Sequence, residues 1–104
     1  MALVVAGFDW VRGNRNKYQK HGVSIAVIES LFRGSIAVLP DPAHSAREER
    51  FKAIGRAEDG RSVLIVFTLR EHDGVRLIRP ISARYMRRKE SEYYEEEAAK
   101  TADR

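Results

Sequence analysis

The sequence contains no cysteine, which excludes disulfide bonds, thiolate metal ligands and catalysis by a thiol. It also lacks long apolar runs, since no stretch approaches the roughly 20 residues that a membrane-spanning helix requires. The apolar opening, Met1–Phe8, is too short for the core of a signal peptide with its cleavage site. Internal repeats are absent as well. We therefore expect a cytoplasmic protein that does not span a membrane.

The 104 residues include 43% hydrophobic and 33% charged side chains, which is enough apolar surface for one hydrophobic core. We expect a single domain over residues 1–104. The formal net charge of +4 is unevenly divided, because residues 1–88 carry 16 Lys and Arg against 9 Asp and Glu, whereas residues 89–104 carry 3 against 6. The basic part would attract nucleic acid through long-range electrostatics.

Three segments are predicted to be helical. The polar run 14–21 ends at Gly22, which can take the left-handed conformation that closes a helix. Ser24 can cap a second helix that stops before Gly34. The third segment, about 86–100, is rich in charged helix formers and has few apolar anchors. In the second helix the apolar residues recur at spacings of three and four and form one stripe, Ile25, Ile28, Leu31 and Phe32.

The remaining apolar runs predict strands. A short strand over Leu3–Phe8 and an extended stretch over Ile36–Leu39 precede three strands in quick succession, Glu49–Ala57, Arg61–Arg70 and Val75–Ala83. The turns between these last three are too short for parallel crossovers, so we expect an antiparallel meander. The predicted fold class is α+β, a small antiparallel sheet with two N-terminal helices and a C-terminal helix. We expect the helices on one sheet face and the other face open.

Arginines are concentrated near the end of the predicted sheet. In the last strand, Arg76 and Arg84 alternate against Arg79, so each face carries an arginine and spacing alone does not assign the active side. Pro80 cannot donate a hydrogen bond to a neighbouring strand, which indicates either an edge position or a bulge. A bulge would change which arginines share a face.

Arginines on one sheet face suit a phosphodiester, because a guanidinium binds two phosphate oxygens at once. Alternation places Thr68 and Arg70 on one such face. RNA supplies its own nucleophile: a base removes the proton of the 2′-hydroxyl, cations hold the developing charge, and an acid protonates the leaving 5′-oxygen. This chemistry requires neither a metal nor a cofactor. The available proton-transfer groups are Lys20, His21 and His44.

Each candidate also has a purely structural interpretation. His44 could organise its turn, and Lys20 with His21 could compensate the dipole at a helix C-terminus. The histidines show no spacing typical of a metal site, such as HxxxH, so we expect no metal. Four of the arginines could be edge charges that suppress aggregation, namely Arg56, Arg70, Arg76 and Arg79.

Short motifs follow one another in register along residues 8–94. The first are Phe8-Asp9-Trp10, Lys20-His21-Gly22-Val23-Ser24, Asp41 with His44-Ser45, and Glu49-Arg50. The later ones are Ile54-Gly55-Arg56, Gly60-Arg61, Thr68 with Arg70, Ile78-Arg79, Ile81-Ser82-Ala83-Arg84, and Lys89-Glu90. Together they resemble the BrnT toxin family in order and spacing. Val11 departs from the family, which commonly has an acidic residue there, and the exchange removes a helix N-cap and a negative charge.

The resemblance implies a RelE-like ribonuclease fold and metal-independent cleavage of RNA, which inhibits translation and growth. It also implies tight inhibition by a BrnA-like antitoxin with a ribbon-helix-helix part, through which promoter DNA would be bound only indirectly. The family's active-site positions map onto Lys20, His21, Arg56, Thr68, Arg79 and Arg84, with His44 and Arg70 as weaker members. Arg76 is a further candidate for RNA binding.

Our leading hypothesis is an endoribonuclease in which arginines bind the phosphate and a histidine or lysine transfers protons. A second hypothesis is a non-catalytic module that holds RNA or an acidic protein with the same basic face. A third is an inactive toxin that persists as a structural partner in a repressor complex, with Val11 as a sign of lost activity. In the leading hypothesis the phosphate ligands are Arg56, Arg79 and Arg84, and the proton-transfer candidates are His21, His44 and Lys20.

Overall fold

The computed structural model describes residues 7–10, 22–34, 36–44 and 48–102. These residues form a five-stranded mixed sheet and two α-helices, which agrees with the predicted α+β class. Within the described ranges, no helix combines the length and the apolar character needed to cross a membrane. In chain order the elements are β1 (Gly7–Phe8), α1 (Ile25–Arg33), β2 (Ala37–Pro40), a 3-10 turn (Pro42–His44), β3 (Arg50–Arg56), β4 (Ser62–His72), β5 (Val75–Tyr85) and α2 (Arg88–Ala102).

Helix α1 begins and ends where the sequence predicts. Ser24 has an extended backbone (φ −81°, ψ 157°), and its Oγ accepts a hydrogen bond of 3.2 Å from the backbone N–H of Val27. At the other end, the N–H of Gly34 donates to the carbonyl of Leu31. Ile28 and Leu31 are buried under this helix. The prediction of a capped helix with one apolar stripe is confirmed.

The other N-terminal predictions concern residues that are mostly outside the described ranges. Of the predicted strand Leu3–Phe8, only the last two residues are described, as β1. The predicted helix over residues 14–21 lies outside them. Gly22, the residue predicted to close that helix, has a φ of +78°, which is the left-handed conformation that glycine adopts readily.

The strands lie in the order β1-β5-β4-β3-β2. Strands β3 to β5 form the predicted antiparallel meander, and β2 extends it by pairing antiparallel with β3. Asp73 and Gly74 make the two-residue turn between β4 and β5, and both have the positive φ (53° and 78°) that a type I′ hairpin requires. β1, however, pairs parallel to β5, with Phe8 opposite Ile78, so the prediction of a purely antiparallel sheet is wrong at this edge. A long stretch of chain, not a hairpin, joins these two strands, so no turn dictates their relative direction.

The hydrophobic core lies between α1 and one face of the sheet. Ile65 and Phe67 of the central strand are almost fully buried, and the ring of Phe32 meets Phe67 edge-on, with ring centroids 5.3 Å apart. A Cβ added at Gly55 would lie 3.0 Å from Leu31 Cδ2, so α1 approaches the sheet backbone closely at this position. Because side chains alternate along strands, polar residues of β3 and β4 point to the opposite face.

Helix α2 packs on that opposite face, so the prediction that all helices lie on one face and leave the other open is wrong. Lys52 of β3 donates a hydrogen bond of 3.2 Å to the Tyr94 hydroxyl. Ser62 at the start of β4 shares a buried hydrogen bond of 2.7 Å with Ser91. These contacts are polar, and a helix docked mainly by polar side chains lacks the hydrophobic stripe from which its position could be predicted. The sheet is therefore sandwiched between α1 and α2.

Candidate functional site

Strand β5 contains a β-bulge where Pro80 predicts either an edge position or a bulge. Val66 of β4 pairs with Ser82, whereas the next residue, Phe67, pairs with Pro80. Ile81 is therefore an extra residue in β5. Among the described residues, β1 pairs with Leu77 and Ile78 of β5 and not with Pro80, and the bulge in the pairing with β4 lies directly beside the proline. Of the two alternatives that Pro80 indicates, the structure shows the bulge.

The bulge places Arg79 and Arg84 on the same face of the sheet. In an uninterrupted strand, residues five positions apart point to opposite faces. Here the β4 partners of both arginines point away from α1. Arg76 lies on the face that α1 covers, where its guanidinium is 3.9 Å from the Glu71 carboxylate. The structure thus shows which sheet face each of these arginines occupies, which the spacing left open.

The face opposite α1 carries a group of cationic side chains, and we call it the cationic face. Directly paired residues share a face, so the strand register determines its members. Arg50 and Arg79 are both paired with Thr68 and lie on either side of it in one row. Beside α2 lie Lys52, Arg56 and Arg84, which form the helix end, and toward the β4–β5 turn lie Arg70 and Arg79, which form the hairpin end. Arg50 is level with Arg79, on the other side of β4.

At the helix end, two predicted phosphate ligands are bound by carboxylates of α2. Arg84 forms a bidentate ion pair with Glu90, with N···O distances of 2.6 and 2.5 Å. Hydrogen bonding to Arg84 lowers the pKa of Glu90, and the same contact raises the pKa of Arg84. Arg56 pairs with Glu95 at 2.7 Å. Carboxylate oxygens and phosphate oxygens engage a guanidinium in the same forked geometry.

A cleft of about 330 Å³ lies beside the helix end, and two of its three basic residues are absent from the sequence-based candidates. Lys52 and Arg50 line it together with Arg84. Besides its bond to Tyr94, the Lys52 ammonium is 3.9 Å from the carboxylate of Asp41, which is only 3% exposed. Alternation along β3, which puts Arg50 and Lys52 on one face, is the signal that could identify both.

At the hairpin end, one carboxylate joins an arginine to a histidine. Oδ2 of Asp9 accepts hydrogen bonds from Nε (3.1 Å) and Nη2 (2.6 Å) of Arg79, and it lies 3.3 Å from Nε2 of His72. The hydrogen bonding to Arg79 is the main cause that lowers the pKa of Asp9; partial burial opposes it and the contact with His72 adds to it. The sequence presents His72 only as a turn residue, because Asp9 is 63 positions away.

Arg70 and Thr68 are tied to the segment that precedes β3. Nη2 of Arg70 is 2.7 Å from a carboxylate oxygen of Glu48. Nε of Arg70 is buried without a hydrogen-bond partner among the residues that the structure describes. Thr68 is 2% exposed, and its hydroxyl donates a bond of 2.8 Å to the backbone carbonyl of Glu49. Its hydroxyl thus anchors the segment that carries Glu48.

The predicted proton-transfer groups are not among these residues. Lys20 and His21 lie outside the described ranges, as does the side chain of His44, whose backbone ends the 3-10 turn. Of the three histidines, His72 is the one whose side-chain surroundings are described. In the described part of the chain, no group of three or more histidine, aspartate or glutamate side chains is placed to hold a metal ion.

The arrangement is suited to binding a polyanion. Several guanidinium groups and one ammonium are presented on a single surface, so successive phosphates of one strand could be bound together. An imidazole lies at one end of this surface, within reach of the arginine that shares its carboxylate. Phosphate binding and proton transfer can therefore occur side by side.

Comparison with known families identifies the chain. The family described as "Ribonuclease toxin, BrnT, of type II toxin-antitoxin system" matches residues 10–90. That range includes every cationic side chain of the cationic face. A search of curated proteins returns no matching relative. On the strength of a match over most of its length, and in agreement with the motifs in its sequence, the chain belongs to the BrnT family of ribonuclease toxins of type II toxin-antitoxin systems.

Proposed function

We propose that this toxin is a metal-independent endoribonuclease that cleaves RNA bound on the cationic face. The observation that carries the proposal is the bulge in β5, which brings Arg79 and Arg84 to one face. They share that face with Arg50 and Lys52, which line the adjoining cleft. An RNA backbone bears one negative charge per nucleotide, so a surface with several cations in neighbouring rows matches its charge.

RNA cleavage at such a surface requires little from the protein beyond cations and one proton acceptor. The 2′-hydroxyl attacks the adjacent phosphate once its proton is removed, and charge develops on the phosphate oxygens. Arginines hold this charge at every working pH because they do not deprotonate. The charge stabilisation that a metal ion provides in other nucleases is thus available here from Arg79 and Arg84.

The ion pairs at the helix end support this function, because they show that the guanidinium groups are accessible to forked oxygen acceptors. Arg84 is 43% exposed and Glu90 is 30% exposed, so the pair is partly solvated and can exchange partners. In our proposal, phosphates of the bound RNA replace the carboxylates of Glu90 and Glu95. α2 then acts as an intramolecular competitor of the substrate.

A type II system pairs its toxin with a protein antitoxin. We propose that this partner is a BrnA-like protein whose ribbon-helix-helix part contacts promoter DNA, so that the toxin associates with DNA only indirectly. We also propose a RelE-like arrangement for the fold. RNA cleavage in the cytoplasm would then inhibit translation and growth whenever the antitoxin is absent.

The experiment is cleavage of RNA by the purified chain, freed of its antitoxin, in the presence of EDTA. We expect cleavage by the wild type and a loss of about 10²–10³-fold in rate for Arg79→Ala, the scale of removing one group that stabilises the developing charge. Arg33→Ala is the matched control, because Arg33 lies on α1, is 75% exposed and pairs only weakly with Glu29 at 3.8 Å. RNA that stays intact in EDTA contradicts the proposal, and RNA that is bound without being cut favours the non-catalytic binding module.

A further inference from the structure

His72 occupies an unusual position for a turn residue. It is the last residue of β4, pairs with Val75 across the two-residue turn, and lies on the cationic face. Its side chain is 57% exposed, yet it is held by the carboxylate of Asp9, which is only 20% exposed. An exposed imidazole fixed by a partly buried carboxylate is accessible to a ligand and is also oriented.

The contact with Asp9 determines which ring nitrogen of His72 carries the proton. The lowered pKa of Asp9 keeps this carboxyl ionised, so its oxygens can only accept hydrogen bonds. Nε2 of His72 must therefore donate to Oδ2 across their 3.3 Å separation. In the neutral ring, the lone pair is then on Nδ1, which has no partner among the described residues. Nδ1 is thus available as a proton acceptor.

Arg79 is positioned by the same oxygen. Its Nη2 lies 2.6 Å and His72 Nε2 lies 3.3 Å from Oδ2 of Asp9, so these two nitrogens can be no further apart than about 6 Å, the two contacts laid end to end. Asp9 uses Nε–H and one N–H of Nη2, which leaves three of the five guanidinium donors free of that carboxylate. Arg79 can therefore bind a phosphate while it remains held by Asp9.

We propose that His72, oriented by Asp9, is the proton acceptor for the RNA cleavage described above. Nδ1 takes the proton of the 2′-hydroxyl, the 2′-oxygen bonds to the phosphorus of a phosphate bound by Arg79, and the bond from phosphorus to the 5′-oxygen breaks. The departing 5′-oxygen takes a proton from solvent water, and the products are a 2′,3′-cyclic phosphate and a 5′-hydroxyl. His72 returns its proton to solvent. Asp9 is a positioning residue in this scheme.

Charged groups around His72 agree with this assignment. Asp9, the residue that follows β1, contacts its ring, and Arg79 of β5 shares that carboxylate. Arg70, paired with Glu48, is the next residue on the same face of β4. The contact with Asp9 holds the ring in one orientation while the proton is taken up. In this scheme the two arginines hold the phosphate of the same nucleotide step. The inference rests on the proposed ribonuclease activity and names the proton acceptor of that site.

The test compares the wild-type chain with His72→Gln and His72→Ala, assayed by single-turnover RNA cleavage in EDTA between pH 5 and 9. His72→Gln can still hydrogen-bond to Asp9, but it cannot take up a proton in this range. We expect its rate to fall by about 10²-fold or more, with RNA affinity within twofold of the wild type, because general-base catalysis contributes on this scale. The rise in rate with pH that an imidazole base produces should disappear. Added imidazole should restore cleavage by His72→Ala, and the wild-type products should end in a 2′,3′-cyclic phosphate.

Glu71→Gln is the matched control, because Glu71 is the neighbour of His72 and points to the α1 face. It should cleave at the wild-type rate. If His72→Gln cleaves at the wild-type rate with an unchanged pH profile, the assignment of His72 is overturned while the ribonuclease proposal stands. If His72→Ala is slow but imidazole does not rescue it, His72 has only a structural role and the assignment fails. A wild-type chain that does not cut RNA overturns the proposed function and this inference with it.

Discussion

Replacement of Glu90 by glutamine should make the protein less stable and, at the same time, a tighter binder of RNA. The change keeps the size of the side chain and removes the charge that pairs with Arg84. Both side chains are partly solvated, 43% exposed for Arg84 and 30% for Glu90, so the ion pair belongs to the class of exposed pairs. Such pairs contribute about 0.2–1 kcal/mol to the free energy of unfolding, and the bidentate geometry places this pair in the upper part of that range.

Stability falls while RNA affinity rises because the ion pair with Glu90 stabilises the folded protein but competes with a phosphate for Arg84. A loss of about 0.5–1 kcal/mol lowers the melting temperature by roughly 2–8 °C for a domain of this size. The same free energy no longer has to be given up when a phosphate binds Arg84, so RNA affinity should rise by about 2- to 5-fold, on the scale of tenfold per 1.4 kcal/mol.

The assay is fluorescence anisotropy with a 2′-O-methyl RNA, which cannot be cleaved, at one fixed salt concentration, together with thermal unfolding. Glu92→Gln is the matched control, since Glu92 lies on the same helix and pairs with Arg88, whose side chain is 94% exposed. It produces the same change in net charge without releasing a member of the cationic face. Equal RNA affinities for the two variants would refute the idea that α2 competes with the substrate.

Acid stability and the facing of Arg76 provide two more tests. In the folded protein the pKa values of Asp9 and Glu90 lie below their usual values of 3.8 and 4.5. The two ionised carboxylates therefore add to the free energy of unfolding above the usual pKa values, and this stabilisation is lost as the pH falls through the lowered pKa values. The free energy of unfolding in urea should therefore lose nothing from these groups between pH 8 and about 5 and should decline below about pH 4.5. The decline should be shallower for Asp9→Asn. Arg76→Ala should leave RNA cleavage near the wild-type rate, because the side chain lies on the α1 face; a loss as large as that of Arg79→Ala would contradict the facing assigned here.

The parts of the fold that local chemistry determines could be predicted from the sequence. The cap at Ser24 and the apolar spacing that follows determine α1, because both act within one or two helical turns. The turn at Asp73 and Gly74 determines the β4–β5 hairpin in the same way. Arginines that share strands with alternating apolar residues could likewise be recognised as candidates for binding phosphate.

What could not be predicted depends on contacts between distant segments. The docking of α2 relies on pairs such as Lys52 with Tyr94, which are 42 positions apart and polar, so no hydrophobic pattern reveals them. The pairing of Asp9 with His72 depends on a parallel strand whose partner no turn specifies. The facing of Arg84 depends on where β5 is irregular, which is decided by its register with β4.

The bulge makes the register of β5 with β4 as important to the site as the identity of the side chains. If β5 had the same sequence but no bulge, Ile81 would pair with Val66, and each residue beyond it would point to the face opposite its present one. Arg84 would then be turned toward the core under α1, and Ala83, now 1% exposed, would be turned out of it. Burial of an unpaired guanidinium is far more costly than the loss of one surface ion pair. Folding therefore favours the bulged register over the regular one, and the stability of the fold by itself keeps Arg79 and Arg84 on one face.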